Sequence, residues 1–180
     1  MPSPTGYGSW FSYTVGQSTT AINALTKGYA WGSGGGTGAT LTYSFPGAQS
    51  YWDDFYSANG ANEPGNYDVL TSVQQTGFIN ALQQWANVGK LTFTPSIDTD
   101  DTVGDIRVAY SYNLTSGAYA WAYYPGSAPG GDVWLNANYS TLLNSSFTPG
   151  SYEFMTLVHE LGHALGLQHS FGTAYALSSA

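Results

Sequence analysis

The spacing of apolar and polar residues predicts five short β-strands. Each run is rich in β-branched or aromatic residues, and each is bounded by glycine, proline, asparagine or acidic residues, which is typical of strands. The fourth run alternates small and aromatic side chains. The five runs are residues 41–45, 91–94, 105–110, 118–124 and 132–136.

Apolar residues at helical spacing predict two long helices. In residues 71–88, Phe78, Leu82 and Trp85 recur at i, i+4 and i+7, and Gly89 ends the pattern. The second helix carries an apolar stripe made of Phe154, Leu157, Val158, Leu161 and Leu165. The order of elements, strand–helix–four strands–helix, predicts an α+β fold in which a mixed five-stranded sheet carries both helices.

The remaining segments are less regular. Residues 1–17 predict a flexible leader before a domain over residues 18–180, with a short helix over residues 18–26. Residues 46–70 predict a long irregular connection. Its acidic residues could gather a calcium ion, but their spacing matches no calcium loop and favours a solvated acidic face. They are Asp53, Asp54, Glu63 and Asp68.

All three histidines of the chain lie in one motif, H-E-x-x-H-x-x-G-x-x-H, at residues 159–169. On a helix, His159 and His163 lie four residues apart on the face opposite the apolar stripe. Gly166 tolerates a positive φ, so it can end the helix and turn the chain until His169 faces the other two. A buried helix with merely hydrogen-bonded histidines is the simpler alternative, and it leaves this spacing unexplained.

This arrangement predicts a catalytic zinc site. Three neutral imidazoles leave one position on a zinc ion open for water, unlike a closed structural site. Glu160 lies at the edge of the histidine face, where it can take a proton from that water instead of binding the metal. Zinc lowers the pKa of bound water to about 7 and polarises a carbonyl, so the motif predicts hydrolysis of peptide bonds.

Composition excludes several classes of partner. The net charge is −8 and the cations are Lys27, Lys90 and Arg107, so neither nucleic acid nor an anionic membrane surface is an expected partner. The absence of cysteine excludes disulfides and thiolate zinc sites. No signal peptide is recognisable at the N-terminus, and no apolar run approaches the ~18 residues of a membrane span. We expect a monomer that acts on a protein or peptide substrate.

The histidine motif resembles the zinc signature of the metzincin peptidases. Upstream runs at residues 41–45, 84–86, 91–93, 105–106 and 131–136 resemble, in order, the serralysin branch of that group. The resemblance implies a secreted, extracellular bacterial zinc endopeptidase with a twisted five-stranded sheet. It also implies an antiparallel edge strand that binds an extended substrate by backbone pairing. The residues in that place are Tyr119, Ala120, Trp121 and Ala122, for which ordinary sheet packing is an equally good interpretation.

The chain departs from the serralysin pattern. Ser170 follows the third histidine where serralysins usually have proline, and the only methionines are Met1 and Met155. No methionine therefore follows the zinc motif where the family's methionine turn is expected, and the glycine-rich calcium-binding repeats are also missing. Residues 18–180 predict a catalytic domain truncated at its C-terminus. If the chain is the whole molecule we expect an incompletely shaped pocket, and the alternative is a fragment of a longer gene product. This departure motivates an alternative: a weak or inactive metzincin-scaffold protein that binds zinc or peptide without turnover. A structural or carbohydrate-binding domain is a third, less favoured hypothesis.

Overall fold

The computed structural model describes residues 8–14, 24–34, 36–58, 61–114 and 117–170. Within these ranges the chain forms an α+β domain, which confirms the predicted class. A mixed six-stranded sheet carries two long helices, and a separate two-stranded hairpin lies beside it. None of the helices in these ranges is long and apolar enough to cross a membrane.

The sheet runs in the order β5-β3-β6-β8-β7, and β4 pairs with β6 off this path. Strands β3, β5, β6 and β8 are parallel neighbours, whereas β7 is antiparallel to β8 and forms one edge. The strands are β3 (Ala39–Ser44), β4 (Tyr67–Asp68), β5 (Leu91–Pro95), β6 (Ile106–Ser111), β7 (Ala120–Ala122) and β8 (Asp132–Asn136). The predicted fourth strand over residues 118–124 therefore has a shorter regular core, with Pro125 just beyond it.

The helices are α1 (Phe55–Ala58), α2 (Ser72–Val88), α3 (Ser140–Leu143) and α4 (Tyr152–Ala164), with a 3-10 turn at Glu63–Asn66. A capping box begins α2: the Thr71 hydroxyl accepts from the Gln74 N–H, and the Gln74 side chain accepts from the Thr71 N–H. The Gly89 N–H donates to the Trp85 carbonyl at its other end. The predicted bounds of this helix thus agree with the structure to within one residue.

Two predicted irregular segments contain regular structure. Residues 8–14 of the predicted leader include β1 (Trp10–Ser12), which pairs antiparallel with β2 (Tyr29–Trp31). The connection over residues 46–70 includes α1, a 3-10 turn and β4. These elements are short and depend on partners distant in sequence, which explains why local patterns did not reveal them. Of the short helix predicted over residues 18–26, only Ala24 and Leu25 are described as helical, and residues 18–23 lie outside the described ranges.

One core lies between the sheet and the two long helices. It contains Leu41, Ile106 and Leu135 from the strands, together with Phe78, Leu82, Leu157 and Leu161 from α2 and α4. The helices meet at Trp85, whose indole N–H donates to the Val158 carbonyl at 3.0 Å. Gly162 faces that indole, and a Cβ there would lie 3.1 Å from it. The small residue therefore lets α2 approach the helix that carries the histidine pair.

A buried ion pair lies on the other face of the sheet. Arg107 donates to both carboxylate oxygens of Asp132, at 2.8 and 2.7 Å, and is only 2% exposed. Tyr56 donates its hydroxyl to the same carboxylate at 2.6 Å. The guanidinium also donates to the Tyr51 carbonyl and lies 4.3 Å over the Trp52 ring. This group links β6, β8 and α1, and its charges are compensated by good geometry.

The turn after α4 is set by Gly166. Its φ is 105°, in the left-handed region that favours glycine, and a Cβ there would lie 2.2 Å from the Tyr29 carbonyl oxygen. The turn is also bonded to the chain before β2: the Lys27 N–H donates to the Gly166 carbonyl at 3.0 Å, and the Gln168 N–H donates to the Leu25 carbonyl at 2.8 Å. Gly166 is therefore required both by its conformation and by a close backbone approach.

We predict that Arg107→Met destabilises the fold by about 3–5 kcal/mol, because it leaves the buried Asp132 carboxylate without its cation. Urea unfolding followed by circular dichroism measures the change. The double variant Arg107→Met/Asp132→Leu should recover part of the loss, since no charge then stays buried. An unchanged urea midpoint for the single variant would contradict the assignment.

We predict that Gly166→Ala destabilises the fold more than Gly150→Ala. Gly150 has a similar φ, 93°, but open space around its missing Cβ, so its substitution measures the conformational cost alone, about 1–2 kcal/mol. Gly166→Ala adds a collision with the Tyr29 backbone. Equal unfolding midpoints for the two variants would show that the close approach is unimportant.

Candidate metal centre

Helix α4 presents the first two histidines to a cleft while its opposite face is buried. The Ser151 hydroxyl caps the helix by accepting from the Phe154 N–H at 3.1 Å. Phe154, Leu157 and Leu161 are buried in the core, whereas His159 is exposed. The amphipathic pattern of the sequence therefore orients the helix as predicted.

The three imidazoles converge. The Nε2 atoms of His159 and His163 lie 3.1 Å apart, those of His159 and His169 lie 3.0 Å apart, and those of His163 and His169 lie 3.2 Å apart. They form the one group of three or more candidate metal ligands in the described ranges. The Gly166 turn brings His169 into this group.

The donor set fits a zinc ion. Tetrahedral zinc–nitrogen bonds of about 2.0–2.1 Å require ligand nitrogens about 3.3–3.4 Å apart, close to the separations found. The Leu167 carbonyl can only accept a hydrogen bond, so His163 donates from Nδ1 at 2.8 Å. This bond leaves the lone pair of His163 on Nε2, directed at the other two rings, as expected of a metal ligand held by a neighbouring carbonyl.

The environment also favours neutral imidazoles. Although His159 is exposed at its rim, the partial burial of its ring lowers its pKa, and the neighbouring His163 and His169 lower it further. Burial likewise lowers the pKa of His163, against the opposing effect of its bond to the Leu167 carbonyl. Neutral rings are the form that binds a metal.

Glu160 lies beside the histidines in a buried setting. Its side chain is 6% exposed, and burial raises its pKa to about 7. Its Oε2 atom has no hydrogen-bond partner in the described part of the chain. It lines a cavity of about 310 Å³ with His159, Tyr119 and Ala120. A carboxyl group in this state can hold a proton or release it near neutral pH.

The edge strand β7 borders the same cavity. The Asn136 N–H donates to the Tyr119 carbonyl, and the Tyr123 N–H donates to the Asp132 carbonyl. Since hydrogen-bonded positions alternate in an antiparallel pair, the N–H and C=O groups of Ala120 and Ala122 point away from β8. These groups form the outer edge of the sheet beside α4.

The four acidic residues suggested for calcium do not form a group. Asp54 and Asp68 are exposed, as a solvated acidic face predicts, but Glu63 is only 2% exposed. Its Oε1 atom accepts from the Tyr123 hydroxyl at 2.8 Å, so the solvated interpretation is wrong for this residue. The contact forms between distant parts of the chain, and sequence spacing carried no signal of it.

One aromatic neighbour of the metal centre was not predicted. Tyr124 contacts His163 with 5.8 Å between ring centroids, and Lys27 lies 5.2 Å over the same tyrosine ring. Tyr124 closes the aromatic run at residues 118–124. Its position at the end of the predicted edge strand was the available signal.

Curated relatives of this chain carry protease names. The metalloprotease AprA of Pseudomonas entomophila (strain L48) is 33% identical over 162 residues, which cover 88% of this chain and 31% of that protein. Serralysin B of Dickeya chrysanthemi is 34% identical over 138 residues, covering 74% and 27%. Serralysin C of the same organism is 43% identical over 95 residues, covering 49% and 19%. The chain thus spans a third or less of the length of these relatives.

The family match is broader than the histidine motif. Residues 63–177 match the matrixin peptidase family, which is more than half of the 180 residues and includes all three histidines. The same range contains α2, the edge strand and α4. The chain therefore belongs to the matrixin peptidase family and is a serralysin-like metzincin.

Proposed function

We propose that this chain is a zinc-dependent endopeptidase that hydrolyses peptide bonds of extracellular proteins. The observation that carries the proposal is the convergence of three imidazole Nε2 atoms, 3.0–3.2 Å apart, beside the buried carboxyl group of Glu160. Family membership supports the same reaction class. Neither a binding module nor a structural domain requires this combination.

His159, His163 and His169 would hold the ion. When bound, zinc supplies Lewis-acid chemistry: it lowers the pKa of water and polarises a carbonyl oxygen. The hydrogen bond from His163 to the Leu167 carbonyl fixes the ring orientation before any ion arrives. Such preorganisation reduces the free-energy cost of assembling the site.

Glu160 acts as general base and then as general acid. It takes a proton from the attacking water and delivers it to the nitrogen of the departing amine. Its buried position suits this role because burial raises the pKa of the carboxyl group to about 7. Its neighbour His159 stays free to bind the metal.

The substrate lies along β7. Backbone groups of Ala120 and Ala122 pair with an extended peptide, as in other cases of strand addition. Tyr119 and Trp121 bond to β8 through their backbones and position the strand. A side chain of the peptide then enters the cavity of about 310 Å³ next to Glu160.

The proposal extends to the setting of the enzyme. The likeness to serralysins supports secretion from a bacterium. The net charge of −8 argues against nucleic-acid and membrane partners. We propose a monomer. Calcium binding has no comparable support, because the histidines are the one group in the described residues able to hold a metal.

We predict that Glu160→Gln lowers the rate of casein hydrolysis by about 10²–10⁴-fold, because the proton-transfer group is lost, while zinc content stays near one ion per chain. Metal analysis and a casein assay measure both. Glu153→Gln, on the same helix, is the matched control and should retain most activity. Hydrolysis that survives in Glu160→Gln would exclude Glu160 as the base; zinc binding without hydrolysis by the wild type would favour a metzincin-scaffold binding protein.

We predict that zinc stabilises the wild type but not His169→Ala. When the free zinc concentration is 100 times its Kd, an ion that binds only the folded state adds about 2.7 kcal/mol to the free energy of unfolding. Thermal unfolding with zinc and with a chelator measures the difference. An equal zinc-dependent shift in His169→Ala would show that the third ligand lies elsewhere.

A further inference from the structure

An aromatic trough lies beyond the metal centre at the end of the edge strand. It is a cavity of about 280 Å³ between the β1–β2 hairpin, α1 and the segment after β7. Five of its eleven described lining residues are aromatic. We define the trough by six lining residues: Trp10, Tyr29, Phe55, Tyr123, Tyr124 and Pro125.

Three of these rings are exposed although they are large and apolar. Trp10 is 41% exposed, Tyr29 is 39% exposed and Phe55 is 38% exposed. They are paired with neighbours in the walls: Trp10 with Tyr29 at 6.3 Å, and Phe55 with Tyr123 at 6.2 Å between ring centroids. A concave, ring-lined surface open to solvent is typical of a ligand site, because soluble proteins rarely leave such patches uncovered.

The trough adjoins the metal centre through Tyr124. Tyr124 contacts the His163 ring, with 5.8 Å between centroids. Both Tyr29 and Pro125 adjoin Gly166, the glycine whose turn brings in His169. The trough therefore adjoins His163 and the Gly166 turn, whereas the cavity of about 310 Å³ is lined by His159 and Glu160.

The edge strand connects these two cavities. Ala120 lines the Glu160 cavity and Tyr124 lines the trough. An extended chain covers the four intervening steps in about 14 Å. A peptide paired antiparallel with β7, the more stable pairing, runs from the trough toward Glu160. Residues on the amino-terminal side of the cleaved bond then face the rings.

We propose that the aromatic trough is a specificity site for an aromatic side chain on the amino-terminal side of the cleaved bond. This inference rests on the proposed peptidase function and names its substrate class: extended peptides with an aromatic residue a few positions before the cut. Edge-to-face contacts with Phe55 and Trp10 select the ring over smaller side chains. None of the described residues that line the trough is charged, so it offers no partner there to a charged side chain.

Binding and cleavage are tested separately. On the Glu160→Gln background with zinc present, Kd is measured by fluorescence anisotropy for labelled ten-residue alanine-rich peptides. One phenylalanine is moved through each position and compared with the parent peptide. We expect peptides whose phenylalanine lies on the amino-terminal side of the bond that the wild type cleaves to bind about tenfold more tightly than the parent peptide. Burial of one aromatic ring allows a gain of this size.

The variants Phe55→Ala and Trp10→Ala should bring the ratio of the parent's Kd to that of the phenylalanine peptide toward one. Two independent variants are used so that a folding defect in one of them does not decide the result. The matched control is Tyr112→Ala, which removes a ring of 39% exposure outside the trough and should keep the tenfold ratio. With the wild type, cleavage rates of the same peptides should follow the same order.

Three results would overturn the inference: no position that binds more tightly than the parent, a gain that persists in both trough variants, or an oligosaccharide that binds in their place with no peptide preference. Loss of hydrolysis alone has a different meaning. If the wild type cleaves no peptide but the Kd ratio depends on Phe55 and Trp10, the trough stands and the peptidase proposal fails.

Discussion

The close approach of two backbones at Gly166 is the constraint on which the metal centre depends. Helix α4 supplies two imidazoles by its own periodicity, but the third arrives only because the chain reverses directly after the helix. That reversal passes against the Tyr29 carbonyl, where a Cβ would lie 2.2 Å away. Backbone bonds from Lys27 and Gln168 fasten it there. A segment more than 130 residues upstream thus forms part of the support for His169.

The buried ion pair on the sheet face opposite the long helices supports the strands next to the cleft. Asp132 begins β8, and Arg107 and Tyr56 bond to its carboxylate on a face away from the histidines. Strand β8 in turn bonds to β7, the strand proposed to bind substrate. The ion pair is costly to bury and is compensated by bidentate geometry. Its link to the cleft is therefore indirect: it joins β8 to β6 and α1, and β8 pairs with the strand that borders the cleft.

Elements defined by patterns within one segment could be predicted from the sequence, whereas elements that depend on long-range contacts could not. Helices α2 and α4 were predictable because periodicity and caps lie within each segment, as with Thr71 and Gly89. The histidine convergence was predictable for the same reason, since one glycine turn separates His163 from His169. The β1–β2 hairpin, β4 and the buried Glu63 were not, because each depends on a partner far along the chain. The contact of Tyr124 with His163 belongs to this second group.

The indole of Trp85 has a consequence for how the domain responds to mechanical disturbance. It bonds to the Val158 carbonyl and rests against Gly162, so it touches α4 on both sides of His159 in sequence. Sliding of α2 along its axis would break this hydrogen bond to the residue that precedes His159. Through this contact, a shift of Trp85 on α2 acts on the segment of α4 that carries His159.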